Sequence, residues 1–459
     1  MSTKQKDLLT RSAEMPAEVL EQTILVAEKM QQRLPAGNMV KKTGAYWHML
    51  GPGLTTGASD DDPSGIVTYS QTGAKFGFNF LWMAVFTFPL MAVVQEMCAR
   101  IGLVTGRGLA GNIRLHFNKR ILYTCTILLF IANAINIGAN LGAMAKAMQL
   151  FNPQLNFTFL VVGFTILSLG LQIFTPYVRY ARYLKWLALV LLSYVFSTLM
   201  ANLDWGNVLH HAVVPTIHFN KESAILICAI LGTTISPYLF FWQTSQEVEE
   251  QILQGKTTVR ERGMATAAAD VKSMRIDVWS GMFLSNLVMF FIIAACGALL
   301  YANGITEITS AAQAAEALRP FAGDASYFLF AVGIIGTGLL AIPVLAGSSS
   351  YALSESFRWR EGLYRDLAQA RAFYGVIIIS MLVGLSINFL GIDPIQALIY
   401  SAVANGLAAP LVLLLIVLIS SNRKVMGRWT NKPLTTAIGW LVVVIMSTAG
   451  IAAIWALIP

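Results

Sequence analysis

Gly51-Pro-Gly-Leu-Thr-Thr-Gly-Ala-Ser-Asp-Asp-Asp-Pro-Ser-Gly65 decides the fold of this chain. The run lies within the first long apolar segment. Carboxylates are expensive inside a bilayer and persist there mainly where they bind something. Pro63 and Gly65 prevent a continuous helix at the same place. A membrane helix broken at a carboxylate is one way to build an ion site.

The rest of the chain supports a membrane setting. Its 459 residues are 56% hydrophobic and 12% charged, with mean hydropathy +0.62. Soluble domains carry roughly 25% charged residues. Apolar spans are expected at about 50–76, 79–104, 120–149, 156–174, 183–202, 222–246, 276–302, 322–352, 370–390, 396–420 and 434–457, most of them near the length that crosses a bilayer. Before them, residues 1–49 form a polar segment without a signal-peptide pattern, and 19–34 read as a short amphipathic helix.

The net charge of +8 has a topological explanation. Basic residues follow the even-numbered spans: Arg107 and Arg114 the second, Arg179 and Lys185 the fourth, Lys256 and Arg262 the sixth, Arg358 and Arg365 the eighth, Arg423 and Lys432 the tenth. Eleven spans with a cytoplasmic N-terminus satisfy this alternation. The basic charge therefore gives no support for nucleic-acid binding. Cys98, Cys125, Cys228 and Cys296 are scattered without metal or disulfide spacing. His210, His211 and His218 fall in one external loop and read as surface residues.

A second interruption lies in the sixth span, Leu231-Gly-Thr-Thr-Ile-Ser-Pro-Tyr-Leu239. The two broken spans are an odd number apart, so they cross the bilayer in opposite directions. That pattern predicts two inverted five-helix repeats, each opened by a discontinuous helix. The fold expected is an all-α polytopic membrane protein of eleven transmembrane helices. Residues 50–202 make the first repeat, 222–420 the second, and 434–457 a peripheral eleventh helix.

The chemistry should lie between the breaks. Asp62 is the central candidate ligand. Carbonyls are expected from Ser59 and from Gly232 or Thr233, with hydroxyls from Thr234 and Ser236. Neither break carries methionine or cysteine. Oxygen donors suit hard cations, and sulfur suits softer transition metals. Ser64 and Gly65 are small and leave room for the waters that Mg²⁺ keeps. Asp60 and Asp61 either line the approach or sit solvated in a vestibule. Asn133, Asn136 and Asn140 share one face of the third span, as interhelical hydrogen-bonding groups or as a path lining. Lys146 should snorkel. Glu96 and Glu355 should pair with arginines, and Glu247 to Glu250 read either as an exit lining or as a solvated helix end.

At these residues the chain resembles the natural resistance-associated macrophage protein (NRAMP) family of divalent-metal transporters, from about Gly51 to the C-terminus. That family opens with Gly-Pro-Gly and breaks its first helix at Asp-Pro-Gly-Asn. Here Gly51-Pro52-Gly53 and Asp62-Pro63-Ser64-Gly65 stand in those places. Ala99 to Ala110 looks like the family's loop after its second helix. The family's Met-Pro-His of the sixth helix falls on Ser236-Pro237-Tyr238, and its acidic Asp-Leu-Ala-Glu on Asn140-Leu-Gly-Ala143. The resemblance therefore implies a retained metal aspartate at Asp62, with the sulfur ligand, the histidine and both proton-route acids replaced. These departures are similar to the NRAMP-related magnesium transporters, a prokaryotic branch.

The expected function is import of divalent cations, Mg²⁺ first and Mn²⁺ second, across a prokaryotic plasma membrane by alternating access without proton coupling. Asp62, Ser59, Gly65, Thr233, Ser236 and Tyr238 form the expected site, and Asn140 and Ala143 mark a disabled proton route. The metal is substrate, no cofactor is implied, and the only partner expected is the lipid bilayer. The rival readings are a proton-coupled Mn²⁺ or Fe²⁺ transporter using Asp60 or Asp61, and a sodium-coupled organic-solute symporter. An enzyme is disfavoured, since no nucleophile–base pair or nucleotide loop is visible.

Overall fold

The computed structural model describes residues 51–175, 191–200, 203–216, 220–264, 266–319 and 323–458. The helix expected over 19–34, the basic residues Arg179, Arg182 and Lys185, and His218 lie outside them. The described residues form helices joined by loops. The first span is divided into α1 (Pro52–Asp60) and α2 (Pro63–Phe76). Then come α3 (Leu81–Thr105), α4 (Lys119–Gln149), α5 (Phe157–Phe174) and α6 (Leu192–Met200). The second interrupted span is α7 (Lys221–Thr234) and α8 (Pro237–Leu253). The remaining long helices are α9 (Ala268–Leu299), α10 (Ser326–Phe357), α11 (Arg371–Ile387), α12 (Pro394–Ser420) and α13 (Pro433–Leu457).

Among the described residues, eight helices are long and apolar enough to cross a membrane when α7 and α8 are taken together. The expected total of eleven is not reached by this criterion, for identifiable reasons. Interruption leaves α1 and α2 with 9 and 14 residues, and α11 has 17. The fifth span is described only in part. Helix α9 begins at Ala268, well before the expected 276. Asp270 accepts a hydrogen bond from the Ala267 amide at 2.9 Å and starts the helix among charged residues that hydropathy cannot register.

Polarity is arranged as in a membrane protein. Phe159 on α5 is 79% exposed and Ile451 on α13 is 70% exposed. Asn133, Asn136 and Asn140 on α4 are fully buried. Apolar side chains face outward, where lipid would meet them, and amides face the interior. The four cysteines are buried and unpaired, as expected.

Close backbone contact holds α1 in place. A Cβ at Gly53 would lie 2.6 Å from the Val278 amide nitrogen on α9, and one at Gly57 would lie 2.5 Å from the Gly281 carbonyl carbon. Only glycine fits there. Asp277 completes the seam. Its Oδ1 accepts from the Gly51 and Leu54 amides at 2.8 and 3.0 Å, and its Oδ2 from the Gly53 amide at 2.6 Å. A carboxylate borrowed from α9 thus caps the N-terminus of α1.

Candidate functional site

The first break is two residues wide. Asp60 closes α1, Asp61 turns the chain, and Asp62 is the N-cap of α2 with Pro63 at its first position. Asp62 accepts from both the Gly65 amide (2.9 Å) and the Ser64 hydroxyl (2.5 Å) through Oδ1. Its Oδ2 accepts from Asn136 Nδ2 and Asn140 Nδ2, each at 3.1 Å. Asn136 is held in turn by Ser401 of α12, whose hydroxyl donates to its Oδ1 at 3.1 Å. These neutral donors and the N-terminus of α2 stabilise the Asp62 carboxylate without a cationic side chain.

The second break lies at Ile235–Ser236, between α7 and α8. Ser236 Oγ donates to the Gly232 and Thr233 carbonyls at 2.6 and 2.8 Å, which satisfies oxygens freed at the end of α7. Gly232 itself does not mark the break. Its missing side chain lets α7 touch the backbone of α12 at Ala402 and Gly406. Thr234 Oγ1 donates to the Ile230 carbonyl at 2.9 Å, within α7.

The two breaks face each other. Tyr238 Oη, at the start of α8, donates to the Ser59 carbonyl at 3.2 Å. The Ser59 hydroxyl donates to Thr55 O at 2.8 Å. A Cβ at Gly65 would lie 3.2 Å from Thr233 Oγ1 and 3.3 Å from the Asp60 carbonyl oxygen. Glycine therefore lets the two breaks approach closely. Ser59, Asp62, Gly65, Thr233, Ser236 and Tyr238 are brought together and all are buried. Ala143 is also buried, one helical turn past Asn140.

Several residues have other roles than the sequence suggested. Asn136 and Asn140 bind Asp62 directly. All three thus make interhelical bonds, and Asn133 ties α4 to α10, donating to Leu345 O, Ser348 Oγ and Ser349 Oγ at 2.9–3.0 Å. Asp60 and Asp61 are not solvated, being 0% and 4% exposed. Ser285 of α9 donates to Asp60 Oδ2 (2.6 Å) and lies 3.2 Å from Asp61 Oδ1. Asp60 Oδ1 is buried without a partner. One thioether comes close. Met144, one turn past Asn140, shares the space in front of Gly338 with Pro63.

The acids outside the breaks are held in different ways. Glu96 pairs with Arg100 and Arg275 as expected, at 3.5 and 2.8 Å. Glu355 forms no ion pair within 4.0 Å among the described residues. Its Oε2 accepts from the Gly111 amide at 2.8 Å. Glu247 and Glu249 are buried rather than solvated, while Glu250 is exposed. Glu247 accepts from Gln243 Nε2 at 2.9 Å, and Glu249 accepts from Tyr351 and the Leu363 amide. Lys146 Nζ lies 5.4 Å above the Phe157 ring.

Among the described residues, no basic side chain pairs with Asp60, Asp61 or Asp62. Nor do three His, Cys, Asp or Glu side chains converge so as to hold a metal ion. A cation at Asp62 would therefore take most of its ligands from carbonyls, hydroxyls, amides or water.

Comparison with known proteins agrees with this architecture. The model of the natural resistance-associated macrophage protein-like family matches residues 53–456. The "Divalent metal cation transporter MntH" of Caldanaerobacter subterraneus is 25% identical over 424 residues, covering 91% of this chain and 94% of that protein. Its namesake from Deinococcus radiodurans is 26% identical, covering 89% and 90%. A crystal structure of the Eremococcus coleocola manganese transporter superposes with TM-score 0.69 at 18% identity, covering 92% of this chain and 89% of that one. Mhp1, a nucleobase-cation-symport-1 family transporter, follows with TM-score 0.54 at 16% identity, covering 88% and 91%. The chain thus belongs to the natural resistance-associated macrophage protein-like (Nramp) family.

Proposed function

We propose that this protein imports divalent cations, Mg²⁺ first, by alternating access and without moving protons. One observation carries the reading: three adjacent buried aspartates meet no basic partner among the described residues, and Asp62 sits where the two helix breaks meet. Buried unpaired carboxylates are costly, and a bound cation removes the cost. Relatives bearing the name divalent metal cation transporter support the substrate class.

The finer preference rests on the donors. Together the breaks offer carboxylate oxygens from the first and carbonyl and hydroxyl oxygens from both, which suit a hard ion. Ser64 and Gly65 add little bulk there, so parting of the breaks opens room for an ion that keeps part of its water shell. Amides on α4 at Asn136 and Asn140 orient Asp62 but cannot carry a proton away. Inward movement of Mg²⁺ is then driven by the membrane potential, about 4.6 kcal/mol for two charges at 100 mV. Because the site is buried, entry and exit require helices around the breaks to move. The short α1, capped from outside by Asp277, is the natural moving part.

The test is uptake into proteoliposomes of Mg²⁺, Mn²⁺ and Ca²⁺ side by side at two pH values, with a pH dye inside. Mg²⁺ should enter without acidification, and Asp62→Ala should abolish uptake. Retained uptake in that variant would remove the site. A proton-coupled Mn²⁺ transporter is the second reading. It is favoured by the Asp60–Asp61 pair sharing Ser285 and by the thioether of Met144 near Pro63. Mn²⁺ uptake that resists a large excess of Mg²⁺ and acidifies the lumen would establish it instead.

A further inference from the structure

A cavity of about 330 Å³ lies where the ends of α3, α8 and α10 meet. Small-molecule sites span roughly 300–1,000 Å³. Six arginines line it: Arg107, Arg114, Arg262, Arg358, Arg360 and Arg365. The charge rule for membrane loops explains arginines on this side of the molecule. It does not explain why they surround one hollow, where like charges repel.

Three of the six are engaged by the protein. Arg262 donates to the Gly106 and Thr257 carbonyls at 3.1 and 2.8 Å. Arg114 donates to the Glu355 carbonyl. Arg365 donates to the Glu361 carbonyl at 3.0 Å and lies over the Tyr364 ring. Arg107, Arg358 and Arg360 line the cavity with no ion pair among the described residues. The carboxylates in the wall do not cancel them. Glu249 and Glu355, held by backbone amides, and Glu361 offset at most three of the six charges. Burial and the neighbouring Glu355 push Glu361 up to about 9, so it adds little negative charge at neutral pH.

Two further observations point to an occupant. Ser245 of α8 is 4% exposed, lines the cavity, and has a hydroxyl without a hydrogen-bond partner. Arg358 ends α10 in the left-handed conformation, with φ +63°, the only non-glycine to do so among the described residues. Glycine or asparagine is usual at that position. Keeping arginine there carries a backbone cost that a role for the side chain accounts for. At the mouth, Trp359 and Tyr364 are 42% and 39% exposed.

We propose that this cavity binds a phosphate-ester anion, a nucleotide or the headgroup of an anionic phospholipid, and that occupancy ties α8 to the segment after α10. Guanidinium groups match phosphate oxygens in paired hydrogen bonds. Exposed indole and phenol rings suit a stacked base or the headgroup layer. Helix α8 begins at Pro237 and Tyr238, beside the aspartates, so an anion restraining its far end slows the movement that transport requires.

The test uses the purified full chain in detergent, titrated with ATP, inorganic pyrophosphate and short-chain phosphatidylglycerol while melting and binding are followed. At least one probe should bind saturably. Response to ATP or pyrophosphate identifies a soluble ligand, and response to phosphatidylglycerol alone identifies lipid. Arg358→Gly relaxes the backbone, so it should fold as well as the natural chain and yet bind at least about tenfold more weakly. Arg360→Ala should weaken binding similarly. In proteoliposomes, the bound probe should slow metal uptake by the natural chain and not by Arg358→Gly. The proposal fails if no probe binds saturably, if Arg358→Gly binds like the natural chain, or if a probe that binds leaves uptake unchanged.

Discussion

Gly57→Ala tests the seam that holds α1 closed. The added methyl would lie 2.5 Å from the Gly281 carbonyl carbon, where ordinary contact begins at 3.4 Å. The two backbones must separate by roughly 1 Å, and neither can give way by rotating a side chain. Overpacking of this kind costs about 1–3 kcal/mol. The cost falls only on states in which α1 lies against α9. The open population should therefore rise about 5- to 150-fold. Hydrogen exchange read by mass spectrometry measures this directly. Peptides covering Pro52–Asp60 should exchange faster by that factor, while peptides from α12 stay unchanged. Mg²⁺ uptake should fall because the closed state is disfavoured. Unchanged exchange in α1 together with normal uptake would refute the idea that this glycine contact seals the path.

Other outcomes follow from the same geometry. Asp277→Asn loses acceptor capacity toward three amides and should also loosen α1, seen as faster exchange at Gly51 to Leu54. Asn140→Ala removes one donor from a buried carboxylate, worth about 1.5–3 kcal/mol; the metal-free protein should melt earlier, and millimolar Mg²⁺ should restore more of the loss than it adds to the natural chain. Gly65→Asn adds bulk where the breaks meet and should weaken Mg²⁺ uptake more than Mn²⁺ uptake, measured as a ratio in one preparation. Glu361→Gln should raise the melting temperature by a margin that widens from pH 5 to pH 9. A carboxyl raised from 4.5 to about 9 leaves stability intact below the lower value and removes it as pH climbs toward the higher one.

Local chemistry made the breaks readable. Proline, glycine and aspartate interrupt helices wherever they stand, so Asp62-Pro63 and Ser236-Pro237 were visible in one dimension. The common face of Asn136 and Asn140 was visible too, but its target was not. Asp62 lies more than seventy residues away in sequence, and spacing within one helix says nothing about a partner on another. Asp60 and Asp61 misled because three acids in a row resemble a solvated surface. Their shared donor, Ser285, is an unremarked serine in an apolar helix. Gly232 looked like a helix breaker and proved to be a point of close approach to α12. Asp277 left a usable signal, a lone acid at the second position of the span expected from 276. Its meaning as a remote cap depended on tertiary contact.

The carboxylate of Asp62 is held by neutral groups alone, and that has an electrical corollary for the proposed cycle. With Asp62 as the one ionised carboxylate at the first break, the carrier is net positive by one with Mg²⁺ aboard and net negative by one after release. An interior-negative voltage then pulls the laden form inward and pushes the vacant form back out. Each journey receives about 2.3 kcal/mol per 100 mV, so neither half of the turnover has to work against the field.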